Sequence, residues 1–155
     1  TFTDRLTLGR GADQIDLYYF GRGHTNGDAW VVFPSLRVMH AGDIFSGKNV
    51  PLLDGVNGGS GVAIGQTLAK AHSATVKAVD QIITGHSTVM TPADLLQYSE
   101  FNNEFLAAVQ AGKKAGQTVE QIAASWKIPA KYTSYAEPAP MRLLSNVRVT
   151  FDEIR

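Results

Sequence analysis

Three side chains of metal-binding type stand beside glycines at the ends of apolar, strand-like runs. His24 lies in Gly-Arg-Gly-His-Thr-Asn-Gly-Asp (21–28), where glycines on both sides set a sharp loop and present the imidazole. Asp43 follows Gly42 at the end of LRVMHAG, and His86 follows Gly85 at the end of AVDQIIT. If the runs are neighbours in a sheet, His24, Asp43 and His86 converge on one rim. Imidazole nitrogen with carboxylate oxygen suits Zn²⁺, Fe or Mn²⁺, and a carboxylate can bridge two ions. A metal with an open position brings bound water to a pKa of about 7 and so supplies hydroxide at neutral pH. Singly, a His or Asp beside a Gly is an ordinary turn residue; the shared strand-end placement is what joins these three. Asp28 reads either as a carboxylate orienting the His24 ring or as a turn anchor. His40, inside a strand, reads as a structural residue facing the core, and His72 as a helix-surface residue.

The elements that must position these groups change character along the chain. Residues 1–45 read as four strands, mostly antiparallel: TFTDRLTL and ADQIDLYYF alternate apolar with polar positions around a Gly9-Arg10-Gly11 turn. AWVVF and LRVMHAGDIF follow, parted by Pro34-Ser35. Tyr18, Tyr19, Phe20, Trp30 and Phe33 read as sheet core. Residues 46–90 begin with a Gly- and Asn-rich loop, SGKNVPLLDGVNGGSG, long enough to carry function. A helix with Ile64, Leu68 and Ala71 on one face comes next, then a buried strand over 76–83 leading to His86. Residues 91–155 form a helical tail. Thr91 caps a helix with Pro92 at its first position, and Thr118 with Gln121 makes a capping box for a shorter one. The segment KIPAKYTSYAEPAP (127–140) is broken by prolines, and LLSNVRVTFDEI reads as one last strand or helix. Strands first and helices after describe a single α+β domain.

Bulk properties exclude several classes of function. The 14 basic and 14 acidic residues cancel, and no Lys/Arg block occurs, so neither nucleic acid nor an anionic membrane is indicated as a partner. The chain has no cysteine, which rules out disulfides, zinc-thiolate sites and Cys nucleophiles within it. No apolar run approaches the ~20 residues of a membrane helix. The Gly58–Gly61 loop has the glycines of a phosphate cradle but no Gly-Lys-Ser/Thr after it, and no Gly-x-Ser-x-Gly elbow appears. The chain opens at Thr1 rather than Met, which suggests a removed precursor segment; a periplasmic or secreted location and a cytoplasmic one both stay open.

With those residues placed, GRGHTNGDAWVVFPSLRVMHAGDIF followed some forty residues later by ITGHS resembles the metallo-β-lactamase superfamily. The resemblance spans roughly residues 15 to 130. It implies an αββα sandwich of two similar halves with metals at one edge of the sheets, and mostly hydrolase activity. It places His24 and His86 as metal ligands and Asp43 as the bridging, catalytic carboxylate, with Asp28 behind them. Zn²⁺ is the implied cofactor, two ions per complete site, with Fe or Mn as alternatives. Lys48, Asn49, Gly59 and Ser60 fall near the mouth where a small-molecule substrate would enter. The superfamily's first-half signature, His-x-His-x-Asp-His, has no counterpart: no two of the four histidines stand two residues apart. The chain therefore resembles a C-terminal half, an α+β unit of mixed sheet followed by helices. Its remaining ligands are expected from a missing N-terminal half or a second copy of the chain. Two functions follow as expectations. One is part of a metal-dependent hydrolase attacking an ester, thioester, lactone or lactam carbonyl; the other is a non-catalytic half-domain acting in assembly or dimerisation.

Overall fold

A computed structural model describes residues 1–155. Five strands form one sheet in the order in which they occur: β1 (Arg5–Leu8), β2 (Ile15–Tyr18), β3 (Trp30–Phe33), β4 (Val38–Gly42) and β5 (Gln81–Thr84). The first three pairings are antiparallel and β5 joins β4 in parallel. That parallel step needs a crossover, and α1 (Ile64–Thr75) lies within it. The helical part follows as α2 (Pro92–Lys114), α3 (Val119–Ser125) and α4 (Pro140–Glu153).

Alternation along the strands sorts residues onto two faces. Trp30, Val32, Met39, Ala41 and Ile82 point to the helices and are almost fully buried. They join α1, α2 and α4 residues in one cluster of 25 buried apolar side chains, so the strand-rich and helix-rich parts share a single core. A chain of aromatic rings ties this core to the segment after β4. Phe45 stacks on Tyr98 at 4.8 Å, and Phe101 lies 4.4 Å from Tyr135 and 5.0 Å from Tyr132. Such pairs add about 0.5–1.5 kcal/mol each beyond burial. Thr91 and Thr118 both close full capping boxes, with Asp94 and Gln121.

The opposite face of the sheet has no layer over it. Register puts Leu6, Leu17, Val31, His40 and Ile83 in one row across all five strands. Leu6, Leu8 and Ile83 are 37%, 46% and 40% exposed, and Leu17, Val31, Phe33 and Val38 are only half-buried. Total accessible area is 8195 Å², against about 7,600 Å² for a typical monomer of this mass.

Several expectations change here. His40 faces this open side and is exposed, because strand alternation turns it away from Met39 and Ala41. The expected strand over 76–83 is a turn as far as Asp80 and then the short β5, which alternates exposed and buried positions rather than being buried throughout. Of the aromatic group only Trp30 is fully enclosed; Tyr18 and Phe20 stack on each other at 5.3 Å, half-buried, and Phe33 lies on the open face. The final segment is the helix α4, whose Leu143 and Val147 enter the core one helical turn apart.

Candidate metal centre

Each of the three donors is held by a backbone device local to it. Gly42 has φ 55 and ψ −147, a conformation that costs any side chain dearly, and it swings the chain off β4 into a single helical turn led by Asp43. Ile44 and Phe45, both buried, pin that turn to the core. His86 leaves β5 through Gly85, which packs so closely on Gly42 and on the Asp43 carboxylate that no Cβ could be accommodated. His24 is not at a strand terminus. It sits midway in the loop joining β2 to β3, and Asp28 shapes that loop by accepting from both the N–H and the hydroxyl of Thr25.

The three side chains meet at Asp43. His86 Nε2 lies 3.1 Å from Oδ1 and His24 Nε2 lies 3.6 Å from Oδ2. On its other side the His24 ring makes a 3.0 Å bond to the Leu52 carbonyl. A carbonyl oxygen only accepts, so Nδ1 carries the proton and a neutral His24 has a bare Nε2 facing a carboxylate oxygen. Two acceptors facing each other call for a positive charge between them, whether a proton on the ring or a metal ion. A gap of 3.6 Å is long for a hydrogen bond. It matches the roughly 3.4–3.6 Å separation of nitrogen and oxygen donors that share a zinc ion at about 2.0–2.2 Å each. Donor type and tautomer therefore fit a metal, whereas donor number does not complete one. Each imidazole meets one Asp43 oxygen, and no group of three or more His, Cys, Asp or Glu side chains closes into a metal-holding cluster.

Other anticipated residues lie elsewhere in the bonding scheme. Asp28 does not meet the His24 ring; the Leu52 carbonyl takes that place. Lys48 is ion-paired with Asp94 at 2.6 Å, and Asn49 bonds the Val50 N–H. The Gly59 N–H and carbonyl are engaged by Asp54 and Arg22. Ser60 is fully buried, donating to Glu153 and accepting from Ala63 N–H at the start of α1. A cavity of about 700 Å³ runs between the Leu52–Val56 stretch and α4, and it reaches His24 but neither Asp43 nor His86.

The loop between Asp43 and α1 is gripped by groups that sequence reading passed over. Arg142 on α4 donates to Ser46 Oγ, the Val50 carbonyl and the Pro51 carbonyl, and Asn146 donates to Pro51 at 2.6 Å. Burial pushes the Arg142 guanidinium below its usual value, and its neighbours Tyr98 and Asp43 act in the opposite direction. A single exposed-looking Arg at a helix start carries no sequence signal for this role, and a backbone acceptor such as Leu52 carries none at all.

Comparison with known proteins bears on the fold. No family model and no curated protein matches the sequence. Among solved structures, the stereoselective inverting sec-alkylsulfatase Pisa1 from Pseudomonas sp. aligns over 98% of this chain and 26% of its own, with TM-score 0.71 and 13% identity. The DIM-1 metallo-β-lactamase aligns over 66% of this chain and 46% of its own, with TM-score 0.54 and 22% identity. A metallo-β-lactamase from Pontibacter korlensis aligns over 64% and 47%, with TM-score 0.52 and 20% identity. The mixed sheet with its helices is thus part of a metallo-β-lactamase-like fold. The chain spans less than half the length of each of these proteins.

Proposed function

We propose that this chain supplies one half of the metal site of a metal-dependent hydrolase, with His24, Asp43 and His86 as its donors and Asp43 shared between two positions. The observation carrying this reading is the Asp43 carboxylate set between two imidazole Nε2 atoms, one of them bare. Zinc is the ion best suited to that donor set, with iron or manganese able to replace it. When bound, the metal would lower the pKa of its water and polarise a carbonyl of an ester, thioester, lactone or lactam. The chain's own residues orient and hold: Leu52 fixes the ring of His24, and Gly42 and Gly85 bring Asp43 and His86 together.

The missing donors and the missing layer point the same way. An N-terminal half carrying further histidines would complete the coordination and cover the row from Leu6 to Ile83. A second copy of the chain could cover the row by two-fold pairing. The non-catalytic reading, a half-domain serving assembly, is favoured by the incomplete donor set alone.

Substitution of Asp43 by Ala in the full-length protein tests the proposal. Zinc content should fall and turnover of a panel of esters, thioesters, lactones and lactams should vanish. A sec-alkyl sulfate belongs in the panel because the fold match to the alkylsulfatase covers nearly the whole chain. Unchanged metal content and turnover in the Asp43→Ala protein would refute the assignment.

A further inference from the structure

The C-terminal helix α4 lies outside the donor loops, yet its polar side chains reach the backbone that orients His24. Arg142 and Asn146, one turn apart, together make four bonds to Ser46, Val50 and Pro51. The next carbonyl, Leu52, is the one bonded to His24 Nδ1 at 3.0 Å. The same stretch binds His24 a second time, through Asp54 N–H to the His24 carbonyl at 2.9 Å. Farther along, Glu153 at the end of α4 takes the Ser60 hydroxyl and the Val62 N–H, while Ser60 N–H bonds the Gly23 carbonyl. The loop is clamped by α4 at both ends and braced against the His24 segment between them.

The make-up of the clamp argues against a mere tether for the helix. Asn146 is 2% exposed, and the half-buried Arg142 cation makes no ion pair, its three acceptors all being neutral. Burying a charge beside neutral acceptors is a costly way to dock a helix that already packs through Leu143 and Val147. What Arg142 and Asn146 add is a fixed direction for the Val50–Pro51–Leu52 carbonyls.

We propose that Arg142 and Asn146 are positioning residues for the candidate metal site. They hold the Leu52 carbonyl where it keeps His24 in the Nδ1–H form, with Nε2 free to bind a metal. The metal part of this inference rests on the function proposed above; the tautomer part does not. In metal sites, partners that orient a ligating imidazole are typically worth 10–100-fold in affinity.

The test is long-range ¹H–¹⁵N NMR of the imidazoles in the metal-free 155-residue chain, recorded at a pH where the spectrum itself shows the rings uncharged. The wild type should show His24 as a single Nδ1–H tautomer. Arg142→Gln, Asn146→Ala and the milder Arg142→Lys, each checked for folding by its amide spectrum, should show His24 mixing towards Nε2–H. Thr118→Ala, which loses the α3 cap and no bond to the loop, should lower the unfolding midpoint and leave the His24 tautomer alone. Zinc affinity should fall 10–100-fold in Arg142→Gln and be unchanged in Thr118→Ala. If every folded Arg142 and Asn146 variant keeps a pure Nδ1–H His24, the inference is overturned. If the wild type takes up no zinc, the metal reading fails while the tautomer result still decides the positioning role.

Discussion

Replacing Gly85 by Ala puts the smallest possible side chain into a contact of the candidate site that has no room for one. A Cβ there would stand 2.8 Å from the Gly42 carbonyl oxygen and 2.9 Å from its carbon, and it would overlap the Asp43 carboxylate. Ordinary contact begins near 3.4 Å, so the Gly42 backbone must withdraw by roughly 0.6 Å and the Asp43 oxygen by more, against a tolerance of about 0.2 Å in a metal–ligand distance. Gly42 cannot yield cheaply, since its left-handed φ already holds the turn from β4 to Asp43. Overpacking of this kind costs about 1–3 kcal/mol of stability. Zinc affinity should fall at least ~10-fold, because Asp43 is displaced relative to both imidazoles. The assay is zinc titration by calorimetry beside urea unfolding of the same chain, with Gly27→Ala as the comparison. Gly27 has open space around it and no left-handed φ, so its substitution should change neither quantity. Wild-type zinc affinity in a folded Gly85→Ala chain would show that Asp43 and His86 do not act together on a metal.

Phe101→Ala should destabilise by about 3–5 kcal/mol in urea unfolding, since Phe101 meets Tyr98, Trp126, Tyr132 and Tyr135 at once. Burial alone would raise the Asp94 carboxyl, but bonds from Lys48 and Thr91 together hold it below its usual 3.8. Its contribution is therefore complete well above that value and lost as pH falls through it and below, and Asp94→Asn should flatten the acid limb of the stability curve between about pH 5 and pH 2. Ile83→Lys, on the open sheet face, should shift stability by no more than about 0.5 kcal/mol in the isolated chain and abolish any self-association seen by sedimentation. A markedly unstable Ile83→Lys monomer would contradict the absence of a covering layer.

The meeting of His24 and His86 with Asp43 was legible because glycine and polarity patterns are local. Gly-His and Gly-Asp steps at the ends of apolar runs announce a change of backbone direction, and that is where His86 and Asp43 lie. Helix caps were legible for the same reason, Thr91 and Thr118 satisfying N–H groups three residues away. What escaped depends on partners distant in sequence. The face taken by His40 follows from the register of β4 between β3 and β5, and a five-residue strand does not announce its register. Lys48 looked available for a substrate, but its partner Asp94 lies 46 positions on and becomes a neighbour only when α2 packs. The short β5 is fixed by pairing with β4 and by the Met90 bridge to Ile82, not by its own apolar run. The choice between strand and helix for 143–154 turned on packing against α2 and α3, which supplies what local propensity leaves undecided.

An anomalous-scattering map at the zinc absorption edge, from crystals of the chain grown with zinc, tests the central claim most directly. A peak is expected within about 2.0–2.2 Å of His24 Nε2 or His86 Nε2 and of an Asp43 oxygen. Full zinc occupancy elsewhere with nothing at Asp43, or no peak at saturating zinc, would contradict it.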